Sequence, residues 1–167
     1  MIDLPSFYEF NIDRRFISFF EKKMEHYKKN GFLLDIRETC TFNGHQTPNI
    51  LSLNEEDVNE KLTSLRKRLE KKCGVKFEYN WVHMVRYDQD GYQEQHKHDH
   101  NEDYSVIVYL NDCDDGSTFY VLNEKRNVIM ESIPKRGKCV MFPASVLHGG
   151  YPTSGGKKIL VLGLRVA

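Results

Sequence analysis

The hydrophobic pattern of this chain changes its period at Gly74. Before this glycine, apolar side chains recur every three or four residues, which is the spacing of a helix that buries one face. After it, apolar and aromatic side chains alternate with more polar ones, which predicts a long strand with one aromatic face. The alternating positions are Val75, Phe77, Tyr79, Trp81, His83, Val85 and Tyr87. The chain is therefore expected to fold as helices followed by strands, without the regular alternation of a βαβ protein.

Two helices are predicted in the first part of the chain. The first covers residues 13–30, where aromatic and apolar side chains share one face, and Gly31 follows as a stop signal. The second begins after Asn54, a residue type that often caps helix N-termini, and ends at the glycine where the period changes. Between them we expect a short strand at 32–38 and a loop through 43–49. Both helices are expected to cover one side of a sheet.

Several short strands separated by turn signals are predicted after the long one. They lie at 104–110, 117–122, 127–133, 138–142 and 158–166. Many short strands at such intervals indicate a small barrel or jelly roll. We therefore expect a single domain over residues 1–167, in which 1–74 form a helical support region and 75–167 form the β core.

The segment EQHKHDH at residues 94–100 holds three of the seven histidines. A strand projects residues i and i+2 to the same face, so His96 and His98 can point together into the mouth of a barrel. Imidazole is a common ligand of divalent transition metals, and His148 is the obvious source of a third nitrogen. Three such ligands leave part of the coordination sphere open to substrates. The alternative is a solvated loop whose histidines bind metal only by accident.

Five segments in order resemble the 2-oxoglutarate- and Fe(II)-dependent dioxygenases of the prolyl-4-hydroxylase type. They are VRYDQDGYQEQHKH at 85–98, VIVYLND at 106–112, GSTFYV at 116–121, RGKCVMFPASVLHGGYP at 136–152 and GGKKILVLGL at 155–164. The resemblance implies a mainly β (α+β) fold, namely a double-stranded β-helix (jelly-roll) core with N-terminal helices packed on the sheet. It covers about half of the chain.

The resemblance also implies roles for individual residues. His96 matches the first iron ligand of the family, and His148 matches the second histidine. Lys158 matches the basic residue that binds the distal carboxylate of 2-oxoglutarate. Tyr109 matches a tyrosine whose hydroxyl can bond that carboxylate, and Tyr87 matches another that lines the pocket.

Lys157 competes with Lys158 for the role of carboxylate-binding cation. Lys158 shares a strand face with three leucines at 160, 162 and 164. A cation on an apolar, inward face requires a partner, and a dianionic co-substrate would supply one. We therefore expect Lys158 to point into the barrel.

The family pattern is H-x-D or H-x-E, and this chain departs from it with His98. His98 is the expected ligand, which would give a three-histidine iron site. A bulge could instead allow Asp99 to bind, or the site could be degenerate and hold metal poorly. With three neutral histidines, the net charge of the metal ion and its ligands is one unit more positive than with two histidines and a carboxylate. Acids at 99, 102 and 103 could restore part of that charge from positions behind the ligands.

The expected activity is that of the resembled family. It would hydroxylate a C–H bond of a protein or peptide residue (prolyl type) or of a small metabolite, and decarboxylate 2-oxoglutarate to succinate. The expected cofactors are Fe(II), 2-oxoglutarate as co-substrate and O2, with ascorbate as a candidate reductant. The alternative is a non-catalytic, cupin-like jelly-roll module that binds a metal or ligand. A three-histidine thiol dioxygenase that needs no keto acid is a third hypothesis, but it gives the lysine no role.

Charge and hydropathy limit the expected partners and location. Lys plus Arg total 24 and Asp plus Glu total 24, so the chain lacks the basic excess of a non-specific nucleic-acid binder. No apolar run is long enough for a membrane span, and the N-terminus lacks the basic region of a signal peptide. We therefore expect a cytoplasmic protein that acts on neither membranes nor nucleic acid.

Overall fold

The computed structural model describes residues 7–36, 40–98, 101–113 and 119–167. The helices are α1 (Arg14–Lys29), a short 3-10 helix (Ile50–Leu53) and α2 (Glu56–Cys73). The strands are β1 (Tyr8–Asn11), β2 (Leu34–Asp35), β3 (Thr41–Gln46), β4 (Phe77–His96), β5 (Tyr104–Tyr109), β6 (Phe119–Leu122), β7 (Val128–Ser132), β8 (Lys138–Pro143), β9 (His148–Gly150) and β10 (Lys157–Val166). The predicted order, with both long helices before most of the strands, is confirmed.

The two long helices begin in different ways. The Asp13 side chain caps α1 by accepting hydrogen bonds from the backbone N–H groups of Arg15 and Phe16. Asn54 was expected to cap α2, but it ends the 3-10 helix in a left-handed conformation, and Glu55 takes the N-cap position without a side-chain hydrogen bond. No helix in the described residues carries an apolar stretch long enough to cross a bilayer.

The strands form one curled antiparallel sheet in the order β1-β8-β5-β10-β4-β9-β6-β7, and β3 also pairs with β4. The 20-residue strand β4 connects two parts of the curled sheet, because its first part pairs with β10 and its last part pairs with β9. The expected loop through 43–49 was wrong in part, since β3 occupies Thr41–Gln46. Asn43 has a positive φ of 46°, and the strand register shifts beside it, so the local signals of a turn belong to an irregular strand.

Two separate apolar layers lie on opposite sides of the sheet. The first is formed by α1, α2 and the outer face of the central strands, with Phe20, Leu62, Met84 and Leu160 among its buried members. The second fills part of the interior of the curled sheet. Its buried members are Val85, Tyr87, Ile107, Tyr109, Phe119, Val121, Val140, Phe142 and Ile159. Apolar side chains therefore pack on both faces of the sheet. The candidate metal ligand His148 lies beside Phe119 and Phe142 of the inner layer.

Candidate metal centre

The structure brings the three predicted histidines together at the mouth of the curled sheet. His96 at the end of β4 lies directly opposite His148 at the start of β9 in the strand register. His98 follows two residues later, and its ring centroid lies 5.0 Å from that of His96 and 5.3 Å from that of His148. One nitrogen from each ring can be chosen so that all three lie within 4.8 Å of one another. This arrangement can hold one metal ion.

Backbone carbonyls orient two of the rings. His96 Nδ1 lies 2.9 Å from the Glu94 carbonyl oxygen, and His148 Nδ1 lies 2.8 Å from that of Val146. In the neutral ring, donation from Nδ1–H leaves Nε2 without a proton, and this is the form that binds metal. His148 is 3 % exposed, and this burial, together with the neighbouring His96, lowers its pKa well below the usual value. The ring therefore stays neutral, as a ligand must.

His98 is oriented by a carboxylate rather than a carbonyl. Its Nδ1 lies 3.0 Å from Glu102 Oε1, and the Glu102 side chain is 3 % exposed. Asn80 Nδ2 donates to the other carboxylate oxygen of Glu102 at 3.2 Å. Asp99, the alternative ligand, lies outside the described residues.

The donor set fits a divalent transition metal. Three neutral imidazoles suit iron, zinc, copper or nickel, and a set of three leaves coordination positions open to small molecules. The second ring nitrogen of each histidine has an acceptor within hydrogen-bond distance, as expected of imidazoles that bind metal. The residues present therefore fit the metal that the sequence pattern predicted.

A cavity of about 610 Å³ opens beside the three histidines. Its walls combine aromatic and neutral polar side chains, among them Thr41, Gln46, Asn80, Trp81, His83 and Asn101. The ring of Trp81 lies across β10 at Gly163, where an added Cβ would approach Trp81 Cε2 to 2.5 Å. Trp81 also stacks on His98, with 5.7 Å between ring centroids and 26° between planes. The indole thus forms a wall of the cavity next to the three candidate metal-binding histidines.

The buried lysine next to this cavity is Lys157, not Lys158. Lys157 is 5 % exposed, and its Nζ lies 4.5 Å from the centroid of the Tyr87 ring. A smaller cavity of about 20 Å³ is lined by Lys157 together with Tyr87, Tyr109 and Gly150. Since a Cβ at Gly150 would lie 3.5 Å from Lys157 Nζ, the absence of a side chain there leaves space at the ammonium.

Lys158 points to the other side of the sheet. Its Nζ donates to Glu25 Oε1 of α1 at 2.7 Å. Its neighbours in phase, Leu160, Leu162 and Leu164, lie in the layer under the helices, so the face taken as inward is covered by α1 and α2. The expectation that Lys158 points into the barrel is therefore corrected, because both faces of β10 are apolar and the leucine face is the outer one.

A comparison with known families identifies the fold and its chemistry. A family model described as the 2OG-Fe(II) oxygenase superfamily matches residues 82–164, about half of the chain. The match runs from β4 into β10, and it includes His96, His98 and His148. The chain belongs to the 2-oxoglutarate- and Fe(II)-dependent oxygenase superfamily. Oxygenases of this superfamily use Fe(II), 2-oxoglutarate and O2, so the predicted cofactors agree with the family.

Solved structures of prolyl hydroxylases share the fold of this oxygenase. A prolyl-4-hydroxylase from Pseudomonas putida has a TM-score of 0.68 at 14 % identity, covering 97 % of this chain and 93 % of its own. A viral collagen prolyl hydroxylase from Paramecium bursaria Chlorella virus-1, in complex with 2-oxoglutarate, has a TM-score of 0.68 at 18 % identity, with coverages of 98 % and 97 %. A prolyl hydroxylase from Trichoplax adhaerens, in complex with a hypoxia inducible factor peptide fragment, reaches 0.73 at 12 % identity, with coverages of 96 % and 84 %. The predicted mainly β jelly roll is confirmed. No curated protein matches the sequence significantly.

The structure adds two residues to those that the sequence analysis assigned to the site of the oxygenase. Trp81 appeared there as one member of an aromatic strand face, although Gly163 within β10 was a signal that another group approaches that backbone closely. Glu102 appeared as one of three acids behind the histidines, and no spacing in the sequence identifies which of these acids contacts His98. His83, which the sequence analysis placed on the aromatic face of the long strand, also lines the cavity, and its Nδ1–H donates to the Thr47 carbonyl oxygen at 2.9 Å.

Proposed function

We propose that this oxygenase is a 2-oxoglutarate-dependent hydroxylase whose iron is held by His96, His98 and His148. The observation that carries the proposal is the convergence of three imidazole nitrogens within 4.8 Å at the wall of a large cavity. When bound, Fe(II) would activate O2 together with 2-oxoglutarate, which is decarboxylated to succinate while a substrate C–H bond is hydroxylated. The chain itself supplies the neutral imidazoles and keeps their second nitrogens occupied.

Lys157 is the residue that we assign to the distal carboxylate of 2-oxoglutarate, in place of Lys158. A buried ammonium in a site with little competing water selects an anionic group. Tyr87 and Tyr109 are buried beside it, and burial raises the pKa of both phenols, so they stay protonated and can donate hydrogen bonds to the same carboxylate. The three side chains together favour a small dianion over a neutral molecule.

The primary substrate is proposed to be a residue of a protein or peptide, of the prolyl type, or a small metabolite. The similarity to three prolyl hydroxylases, one of them bound to a peptide, supports the first of these. The cavity wall of Trp81, Asn80 and Gln46 supports a substrate that offers both an apolar ring or chain and hydrogen-bonding groups.

We also infer that residues 1–167 act as one domain. The helices of the first part bury their apolar faces against the same central strands that carry the site on their other face. Removal of α1 and α2 would expose that layer to water and would destabilise the strands that position the histidines.

The test uses the purified protein with Mn(II), and then with Fe(II), ascorbate and labelled 2-oxoglutarate under air. We expect 2-oxoglutarate to raise the melting temperature only when Mn(II) is present, and labelled succinate to form with Fe(II). His148→Ala should abolish both effects, whereas His26→Ala, which replaces an exposed histidine of α1, should leave both unchanged.

Each contrary outcome has a distinct meaning. Metal binding without any effect of 2-oxoglutarate would replace the proposal by a non-catalytic metal-binding module. A loss of metal binding in Asp99→Ala but not in His98→Ala would assign the third ligand to the aspartate instead.

A further inference from the structure

A buried carboxylate lies directly behind one of the proposed metal ligands. Glu102 Oε1 is 3.0 Å from His98 Nδ1, and the Glu102 side chain is 3 % exposed. Its other oxygen accepts a hydrogen bond from Asn80 Nδ2 at 3.2 Å. Asn80 belongs to β4, the strand that also carries His96, so Glu102 links the His98 side chain to that strand.

Burial of this carboxylate is costly unless a positive charge lies close to it. Removing an ionised carboxylate from water carries a large free-energy cost, which a nearby cation can offset. The amide of Asn80 is neutral, and the imidazole of His98 is neutral whenever it binds metal. A divalent ion on the far nitrogen of His98 would supply positive charge to this carboxylate through the ring. The contact between Glu102 and His98 would form the carboxylate–histidine part of a carboxylate–histidine–metal arrangement.

We propose that Glu102 is a positioning residue that fixes His98 as an Nε2 ligand. Its carboxylate also supplies, from behind the His98 ring, the negative charge that an aspartate at position 98 would supply directly to the metal. The inference rests on the proposed function, since it takes His98 to be a ligand. It explains how an H-x-H motif serves in a site where the family pattern has a carboxylate. Two side chains would thus take the role of one aspartate: His98 provides the metal-binding nitrogen, and Glu102 provides the negative charge.

The first test measures metal affinity, which does not depend on turnover. Mn(II) and Co(II) are titrated into metal-free wild type, Glu102→Gln and Glu102→Ala. We expect both variants to bind metal about 10- to 100-fold more weakly, in the range found when groups behind metal-bound histidines are removed. Glu102→Gln should be the milder, because its amide oxygen can still accept from His98. As a control, Glu78→Gln removes one negative charge from an exposed position on β4, and this variant should bind metal as wild type does.

A second test asks whether Glu102 acts through residue 98. In His98→Asp, the ligand itself is a carboxylate and no longer donates a proton to Glu102. Adding Glu102→Gln to this variant should leave metal affinity unchanged or raise it, because the glutamine amide can donate to Asp where a second carboxylate would repel it. An equal loss in both backgrounds would show that Glu102 acts independently of residue 98, and would overturn the proposal.

A third measurement uses the unmodified, metal-free protein, so it holds even if a variant fails to fold. Long-range 15N–1H correlation spectra at pH 8 report which nitrogen of His98 carries the proton. We expect the Nδ1–H form, fixed by Glu102, and an Nε2–H form would overturn the proposal.

The failure of this inference can be told apart from the failure of the proposed function. If His148→Ala abolishes metal binding while folded Glu102 variants bind as wild type does, the metal site stands and the role of Glu102 is wrong. If His148→Ala binds metal as wild type does, the proposed site itself is wrong, and the role of Glu102 falls with it.

Discussion

The two faces of β10 carry neighbouring lysines into opposite environments. On one face, Lys158 and the leucines that follow it in phase lie under α1 and α2, and the ammonium reaches Glu25 at the protein surface. On the other face, Lys157 and Ile159 line the interior of the curled sheet, and the ammonium lies over the Tyr87 ring. A strand that is apolar on both faces therefore does not reveal by itself which side holds the site.

The difference in environment gives the two cations different uses. A half-exposed ion pair such as Lys158–Glu25 is screened by water and contributes little to stability, typically less than about 1 kcal/mol. A cation that is 5 % exposed and lies over an aromatic ring is shielded from water and attracts an anionic ligand strongly. We therefore propose that the inner face binds the anionic co-substrate, whereas the outer face packs against the helices.

The largest effect on stability is expected on the helix-covered face. Leu160 is fully buried between the sheet and the helices, and Leu160→Ala should lower the free energy of unfolding by about 2–5 kcal/mol through lost burial and a cavity. Urea denaturation measures this change. Metal affinity of the remaining folded protein should stay as in wild type, because the site lies on the other side of the sheet. Val161→Ala on the inner face should cost less stability, and a loss as large as that at Leu160 would contradict the comparison.

Replacing each lysine separately should separate binding from packing. Lys157→Met is expected to weaken 2-oxoglutarate binding to the Mn(II)-loaded protein by about 10- to 100-fold, the equivalent of one charge-assisted hydrogen bond. Lys158→Met serves as the matched control on the same strand and should change the affinity less than about twofold. Isothermal titration with 2-oxoglutarate checks both. The reverse order of effects would restore Lys158 to the role that the sequence analysis gave it.

The smallest expected effect concerns the outer ion pair and its dependence on pH. The hydrogen bond from Lys158 lowers the pKa of the Glu25 carboxyl below its usual value. A carboxyl with a lowered folded-state pKa adds stability that is fully present above its unfolded-state pKa, about 4.3, and is lost as pH falls through the folded-state value. Glu25→Gln should therefore reduce stability at pH 7 by less than about 1 kcal/mol and by nothing at low pH. A constant difference at all pH values would argue against the ion pair.

Much of the fold followed from local pattern in the sequence. The helix predicted at 13–30 and the strand predicted at 138–142 agree closely with α1 and β8, because each has a clear period and clear end signals. β3 was missed because Asn43 and Gly44 have the residue types of a turn, and only pairing with β4 shows that they lie in a strand. Tertiary pairing, rather than local preference, decided that segment.

The candidate site was predictable where residues are close in sequence and less so where they are not. His96 and His98 share a face through the period of a strand, and His148 was the obvious source of a third nitrogen, which the family pattern also matches. The prediction of Lys158 rather than Lys157 was wrong because the choice depends on which face of β10 the helices cover. That side is decided by the packing of α1 and α2 on the leucine face, which no spacing within β10 encodes.

The most direct test of the account is a crystal structure of the protein grown without oxygen in the presence of Mn(II) and 2-oxoglutarate. We predict one Mn(II) ion bound by nitrogens of His96, His98 and His148, with 2-oxoglutarate chelating it and extending its distal carboxylate to Lys157 Nζ. A metal ion bound elsewhere, or a co-substrate carboxylate that reaches Lys158 on the helix side, would contradict the central claim.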